Sequence, residues 1–332
     1  MKFNQSVRFL TLFIAASTAL IVLRCGTVQE LGFNPLGEMK DPTDNPTNAD
    51  KIWLGKEFFF DKRLSLDETV SCAVCHKPGL AFTDGLKVSE GIKGRLGNRN
   101  SPTLINIGFS ERFMFDGEIP TLEMQAIVPI QEHKEMGMDM KALIERLRAV
   151  PEYQEAARRI FNRDMDVWVL TRSLAAYQRS LYSNNSDFDR FYYGKQKNAI
   201  SASAKRGWIL FSEKLYCIAC HPAPYFTTHT VANNGLYADY GEDKGRFRIK
   251  NDSTDIGKFK IPTLRNIQIT DPYMHDGSME SLSEVIDHYA KGGKGHVNQH
   301  PVIQSFELTK REKSDLIQFL YSLTDMSFME RL

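Results

Sequence analysis

The sequence predicts a mainly α-helical protein built from two tandem domains of one plan, and three observations carry that prediction. The segment Cys72-Ala73-Val74-Cys75-His76 returns as Cys217-Ile218-Ala219-Cys220-His221. A second block, Pro102-Thr103-Leu104-Ile105-Asn106-Ile107, returns as Pro262-Thr263-Leu264-Arg265-Asn266-Ile267, offset by 160 positions. Around these blocks apolar residues recur at helical spacing, while strand signals are sparse. The 332 residues, 42% apolar and 25% charged, suit a folded chain of two ordinary domains. A formal net charge of +1 gives no electrostatic reason to expect nucleic acid or an anionic membrane surface as the main partner. Five cysteines are too few for a disulfide scaffold.

At the start of the chain, Lys2 and Arg8 precede an uncharged, mostly apolar run of 15 residues at positions 9–23. That is short for a bilayer span, which needs roughly 17–25 residues, and suits the core of an export signal. Residues 1–25 therefore read as a signal peptide, and the expected compartment is the periplasm. Cys25 stands where a bacterial lipoprotein is cleaved and lipidated, which would attach the protein to a membrane. Arg24 departs from the small residue usual before such a cysteine, so a plain signal peptide or an uncleaved anchor stays open. Residues 26–50, with Pro35, Pro42 and Pro46, read as a flexible tether.

Each Cys-x-x-Cys-His segment matches the attachment signature of c-type haem. Two thiols must reach two vinyl groups of one porphyrin while the next side chain turns its imidazole onto the iron. A four-cysteine zinc site would want its pairs about 15–20 residues apart, whereas these lie 145 apart. A thioredoxin-like pair explains neither the histidine nor the duplication. Cys72, Cys75 and His76 thus read as the site of one covalent haem c, and Cys217, Cys220 and His221 as the site of a second. The fold expected is two cytochrome c-like haem domains, spanning 51–197 and 198–326, with the boundary near residues 194–202.

Other elements follow in order. Gly55 and Gly207 each stand four residues before a phenylalanine, Phe59 and Phe211, a spacing that lets two helices cross closely beside a haem. Residues 227–258 are polar and read as a long loop; they carry the 15 or so residues by which the second half exceeds the first. Thr309 and Glu312 form a capping box opening a helix whose Leu316, Ile317, Leu320, Tyr321 and Leu323 should face a core.

The repeat separates the two irons. In its frame Met114, Asp116, Gly117 and Leu122 match Met274, Asp276, Gly277 and Leu282, whereas Phe115 meets His275, Gln125 meets Val285 and Pro129 meets Tyr289. If this segment lines the distal face, the second half offers a phenol, which can ligate iron, where the first offers a proline, which cannot. The first haem would keep a coordination position open for a small oxidant, and the second would only move electrons. Met274 and Met279 are rival ligands to Tyr289. Beside the open position stand Gln125 and Glu135, and a carboxylate there could pass a proton between the two oxygens of a peroxide. On spacing alone, Glu135 reads equally as a solvated charge in the polar run Gln131-Glu132-His133-Lys134-Glu135. His133, His229, His288, His296 and His300 read as surface or core residues, and His275 as packing beside the second haem.

These residues resemble the bacterial di-haem cytochrome c peroxidase family, which includes MauG, over about residues 50–325. The resemblance rests on both haem signatures, Arg99-Asn100-Ser101-Pro102-Thr103, Asp116-Gly117, Gln125 with Glu135, and Pro272-Tyr273-Met274-His275-Asp276-Gly277. It implies a peroxidatic first haem, an electron-accepting second haem, and Gln125 and Glu135 as the distal amide and catalytic acid–base. It also implies a Ca²⁺ ion between the domains, held by the Asn100 side chain and the carbonyls of Thr270 and Pro272. The activity implied is reduction of hydrogen peroxide to water with electrons from a small cytochrome c or copper protein. The alternatives are a MauG-like oxidase acting on a protein substrate and a non-catalytic haem electron carrier, and pairing into a homodimer stays open. Three departures from the family pattern stand out. Ile92 occupies the place of a distal histidine, Tyr289 that of an axial methionine, and Phe115 that of an inter-haem tryptophan, which is far easier to oxidise.

Overall fold

Two helix pairs, assembled by the same device, organise the chain. The computed structural model describes residues 33–331, so the signal segment and Cys25 lie outside the described residues. In the first pair Ala49–Phe60 packs on Val167–Ser180, and in the second Ala202–Ile209 packs on Lys310–Tyr321. A Cβ placed on Gly55 would lie 1.9 Å from the carbonyl oxygen of Ser173, and one on Gly207 would lie 2.0 Å from that of Asp315. Backbone meets backbone there, and no side chain fits. One turn on, Phe59 meets Tyr177 with ring centroids 5.0 Å apart and Phe211 meets Phe319 at 4.9 Å. The glycine spacing in the sequence thus marks two equivalent close crossings.

The repeated block is reproduced bond for bond. Asn106 and Asn266 both adopt the left-handed conformation, at φ 59° and 60°, which a short amide side chain tolerates. Their backbone N–H groups donate to the carbonyls of Leu181 (2.8 Å) and Leu323 (3.1 Å). Their side-chain oxygens accept from the N–H of Ser183 and of Asp325, each at 2.9 Å. Likewise the Thr103 hydroxyl donates to the carbonyl of Ala81 (2.6 Å) and the Thr263 hydroxyl to that of Tyr225 (2.8 Å).

Each half has its own apolar core. The first core draws on Leu54, Phe58, Phe82, Leu143, Leu174 and Leu181, and the second begins with Phe188. The helix Asp187–Tyr192 therefore packs into the second core. Its Phe188 packs on Phe226 and Phe319 at 5.5 and 5.4 Å, and its buried Asp189 takes two hydrogen bonds of 2.8 Å from Arg265. The polar stretch near 194–202 is a surface turn. The chain end crosses back, because Phe328 is buried in the first core.

Two expectations change. The part of the presumed tether that is described, residues 33–48, is a packed strap. Leu36 and Asn45 are buried, and Asn45 donates to the Glu123 carboxylate (2.7 Å) while accepting from the Lys51 ammonium (3.1 Å). Glu123 is in turn held by both guanidinium nitrogens of Arg179, and the Tyr225 hydroxyl donates to the carbonyl of Leu36 (2.9 Å). Prolines bar this stretch from helix or ladder, but they do not bar its side chains from completing a buried polar group. On the last long helix Tyr321 points outward, 37% exposed, and Phe319 takes the core position instead. The 227–258 segment is mostly loop, as expected; its Val231–Ala232 pairs antiparallel with Phe259–Lys260.

Gly55→Ala and Gly207→Ala should each lose about 2–3 kcal/mol of stability, the upper range for forced overpacking, despite the gain of about 1 kcal/mol in helix propensity. Chemical denaturation of the haem-loaded protein measures this. Unchanged midpoints would mean that the helices separate freely.

Candidate active site

Both Cys-x-x-Cys-His segments fold into a single helical turn. The N–H of His76 donates to the carbonyl of Cys72 (2.9 Å) and that of His221 to the carbonyl of Cys217 (3.0 Å), which brings each imidazole back over its thiols. Each ring is then fixed by one further contact. His76 Nδ1 lies 2.9 Å from the carbonyl of Phe82, and His221 Nδ1 lies 2.9 Å from that of Phe226. Phe82 and Phe226 sit at φ 59° and 52°, which turns their carbonyls toward the rings. With the Nδ1–H donating, Nε2 is left as the lone-pair donor, the arrangement that orients metal-ligating histidines. Burial holds both imidazoles below their ordinary basicity, so they stay neutral.

The thiols complete the fit. None of the four cysteines is in a disulfide. Burial pushes Cys72 and Cys217 up to about 12 and Cys75 up to about 11, the reverse of what a zinc–thiolate or reactive redox pair requires. Among the described residues no three His, Cys, Asp or Glu side chains converge as a metal site. Two thiols and one neutral imidazole on a single turn, present twice, suit a covalently attached haem in each half.

Glu135 stands beside the first signature. Its carboxylate is among the charges that act on both Cys72 and Cys75. Its carbonyl accepts from the N–H of Ile92 (2.8 Å) and its own N–H donates to the carbonyl of Glu132 (2.9 Å), while Ile130, Met136 and Met138 are buried around it. Gly91 permits this approach, since a Cβ there would lie 2.1 Å from the carbonyl oxygen of Lys134. Burial, helped by Glu132, pushes the Glu135 carboxyl up to about 7. Glu135 is half-buried rather than a fully solvated charge. Ile92 is fully buried beneath this segment, and Pro129 lies on the short helix Ile127–Gln131 that leads into it. Gln125 ends the turn Leu122–Gln125 and its amide rests 3.8 Å from the sulfur of Met114.

Tyr289 faces the second signature. The thiols of Cys220 and Cys217 and the amide of Asn234 act on its phenol, which burial pushes up to about 12. Asn234 also donates to the sulfur of Met274 (3.4 Å), so that thioether already has a polar partner. Met279 pairs with Tyr273 in an isolated bridge.

Between the halves the repeat makes one hydrogen bond twice. The N–H of Asn100 donates to the carbonyl of His275 (2.8 Å), and that of Lys260 donates to the carbonyl of Phe115 (2.6 Å). Asn100 is thereby brought against the Thr270–Pro272–His275 loop, with its side-chain amide donating to the carbonyl of Leu86 (2.7 Å). The His275 ring stacks on Phe259 at 3.8 Å. The 227–258 loop clamps this junction. Buried Asp116 is held by Arg99 (2.6 Å) and Arg248, Arg99 also holds Asp243, and Arg246 donates to the carbonyl of Asp116 (2.8 Å). Sequence reasoning missed this clamp, although Asp116 is a repeated residue and so could have flagged it. It also missed Asn234 and Lys260. Of the remaining histidines, His133 is exposed beside Glu132, His288 is buried with Nε2 3.0 Å from the carbonyl of Asn234, and His296 meets Asn233.

Comparison with known proteins agrees with this geometry. The family profile described as "Di-haem cytochrome c peroxidase" matches residues 49–197. The chain is 39% identical to the methylamine utilization protein MauG of Methylorubrum extorquens, over 85% of this chain and 80% of that protein. It is 33% identical to the cytochrome-c peroxidase IdrP1 of Denitromonas iodatirespirans, over 96% and 93%. Among solved structures, a MauG-like protein associated with microbial copper homeostasis superposes with a TM-score of 0.83 at 32% identity, covering 90% of this chain and 95% of that one.

The carboxyl of Glu135 is raised from an ordinary 4.5 to about 7, so across that window the folded protein binds more protons than the unfolded chain. Stability contributed by the half-buried neutral form is complete below pH 4.5 and is lost as pH rises through 7. Denaturation of wild type and Glu135→Gln at several pH values should show wild type losing stability relative to the variant across this range. Parallel curves would place the carboxylate in water.

Proposed function

The chain belongs to the di-haem cytochrome c peroxidase family, and we propose that it is an exported peroxidase reducing hydrogen peroxide to water. The observation that supports this most is Glu135, a half-buried carboxyl raised toward neutral pKa beside the first haem signature. When bound, haem supplies the redox-active iron. Glu135 can take the proton from one peroxide oxygen and return it to the other, so that two electrons and two protons turn one peroxide into two waters. A carboxyl near 7 is populated in both forms at neutral pH, which serves both halves of that transfer. Gln125 offers amide hydrogens to orient the peroxide. Ile92 and Pro129 bring no side chain able to bind iron, so the first centre would be left open in the fully oxidised protein and would need no prior reduction.

Tyr289 would ligate the second iron, with Met274 engaged by Asn234. The Asn100 side chain with the carbonyls of Thr270 and Pro272 would hold Ca²⁺, a set of oxygen donors suited to that ion. Electrons would come from a small cytochrome c or copper protein in the periplasm. Among the described residues no helix is long and apolar enough to cross a membrane, so any attachment would pass through the 1–25 segment and Cys25. The second reading is MauG-like oxidation of a protein substrate. It is favoured by Tyr289 and opposed by Phe115, whose ring resists oxidation.

Glu135→Gln should lose 10²- to 10⁴-fold in peroxide turnover, the usual size for a general acid–base group, while keeping both haems. The rise of wild-type activity with pH, centred near 7 as the base ionises, should be absent from the variant. Equal turnover with reduced cytochrome c would refute the assignment.

Electron paramagnetic resonance of the oxidised protein should show a high-spin first haem and a low-spin tyrosinate-type second haem. Tyr289→Phe should abolish the second signal. Two low-spin signals of His/His or His/Met type would show another residue on each iron.

A further inference from the structure

We propose that Lys260 and His229 form a carboxylate-binding pocket that takes a propionate of the second haem at the junction of the two halves. The inference rests on the two-haem reading and concerns side chains that the catalytic machinery does not use. Lys260 is the repeat mate of Asn100, and the two residues make the same backbone hydrogen bond across the junction. Their side chains differ. Asn100 closes its amide on the carbonyl of Leu86 at 2.7 Å, whereas the Lys260 ammonium has no hydrogen-bond acceptor and no ion pair among the described residues. Burial alone pushes it down to about 8. The residue is half-buried, and a partly desolvated ammonium with no protein acceptor is unfavourable until an anion meets it.

A second, independent group points the same way. His229 Nε2 is buried without a hydrogen-bond partner, and the Lys260 charge is among those acting on its ring. Glu111 also acts on that ring, yet it bonds to neither nitrogen. A buried ring nitrogen and a half-buried ammonium therefore lie on paired segments, where Val231 meets Lys260, and neither has an acceptor among the described residues. One carboxylate would satisfy both, with a charge-assisted bond from the ammonium.

The surroundings select the source of that carboxylate. The Thr228 N–H donates to the carbonyl of Cys220 (3.1 Å), and the Ile261 N–H donates to the carbonyl of Thr230 (2.9 Å). The Thr227 hydroxyl donates to the carbonyl of Ile261 (2.6 Å). His229 and Lys260 are thus framed by the loop that leaves the second haem signature. A haem held at Cys217 and Cys220 brings two propionates that need partners, and a half-buried cation is the partner a low-dielectric site requires.

The test is a redox titration of the holoprotein followed by visible absorption, which resolves the two haems and needs no peroxide. Removing a positive charge beside a haem carboxylate favours the ferric state. Lys260→Gln should therefore lower the midpoint of the second haem and leave the first unmoved, and Lys260→Arg should restore it. His229→Asn should shift the same midpoint downward by a smaller amount and serves as the deciding variant if Lys260→Gln fails to retain haem. Unmoved midpoints in the haem-loaded variants would overturn the proposal. So would a wild-type midpoint that responds to added acetate or inorganic phosphate while Lys260→Gln does not, because the pocket would then hold a soluble anion. Loss of peroxidase activity alone leaves the inference standing, since the midpoints are read without turnover.

Discussion

The hydrogen bond from an imidazole Nδ1 to a main-chain carbonyl is the constraint on which the rest of the molecule depends. A covalent macrocycle requires two thiols and a nitrogen lone pair to converge from five consecutive residues. The helical turn supplies the convergence, but only the carbonyls of Phe82 and Phe226 fix which nitrogen carries the proton and how the ring is turned. Those carbonyls face inward because both phenylalanines are in the left-handed region, an unfavourable conformation for a bulky residue that the packed core around each ring sustains. Close glycine crossings, aromatic pairs and threonine-to-carbonyl bonds all surround that loop in both halves. Much of the conserved geometry between the halves thus serves to hold one ring in one orientation.

Duplication preserves the backbone and lets the side chains diverge. At the junction the same N–H to carbonyl bond is made twice, yet Asn100 faces Lys260 in the repeat, Phe115 faces His275, and Pro129 faces Tyr289. The junction bonds survive the first two exchanges, whereas the helix that carries Tyr289, Leu282–Ala290, is split in the first half into Leu122–Gln125 and the Pro129-bearing Ile127–Gln131. Each changes what can bind: a neutral amide against a cation, a hydrocarbon ring against a polar one, a proline against a phenol. Two centres of one ancestry acquire separate roles in this way without a change of fold. The clamp joins Arg99 and the repeated Asp116 of the first half to Asp243 and Arg248 of the added loop of the second half.

Features with a fixed local spacing were legible in the sequence. The haem signatures, the glycine before each buried phenylalanine and the Thr309–Glu312 capping box, which forms both of its hydrogen bonds, all depend on residues within a few positions of one another. Features made by distant residues were not. The strap was read as a tether because proline content speaks only of local backbone, whereas the contact from Asn45 to Glu123 spans 78 positions. That Phe188 packs its helix into the second core was likewise invisible, because its partners Phe226 and Phe319 are distant in sequence. Glu135 is the intermediate case. Its neighbours in sequence are polar and suggest exposure, and only the buried Ile92, Ile130 and Met136 packed around it reveal its environment.

The return of the chain end to the first core bears on the order of assembly. Phe328 is buried among residues of the first half, and Asp325 accepts hydrogen bonds from the Ser183 hydroxyl and the Asn185 N–H, each at 3.0 Å. The residues synthesised last therefore finish the part synthesised first. A first half that closed as soon as it emerged would lack Phe328 from its core and the two bonds to Asp325 until residues 325–328 had followed.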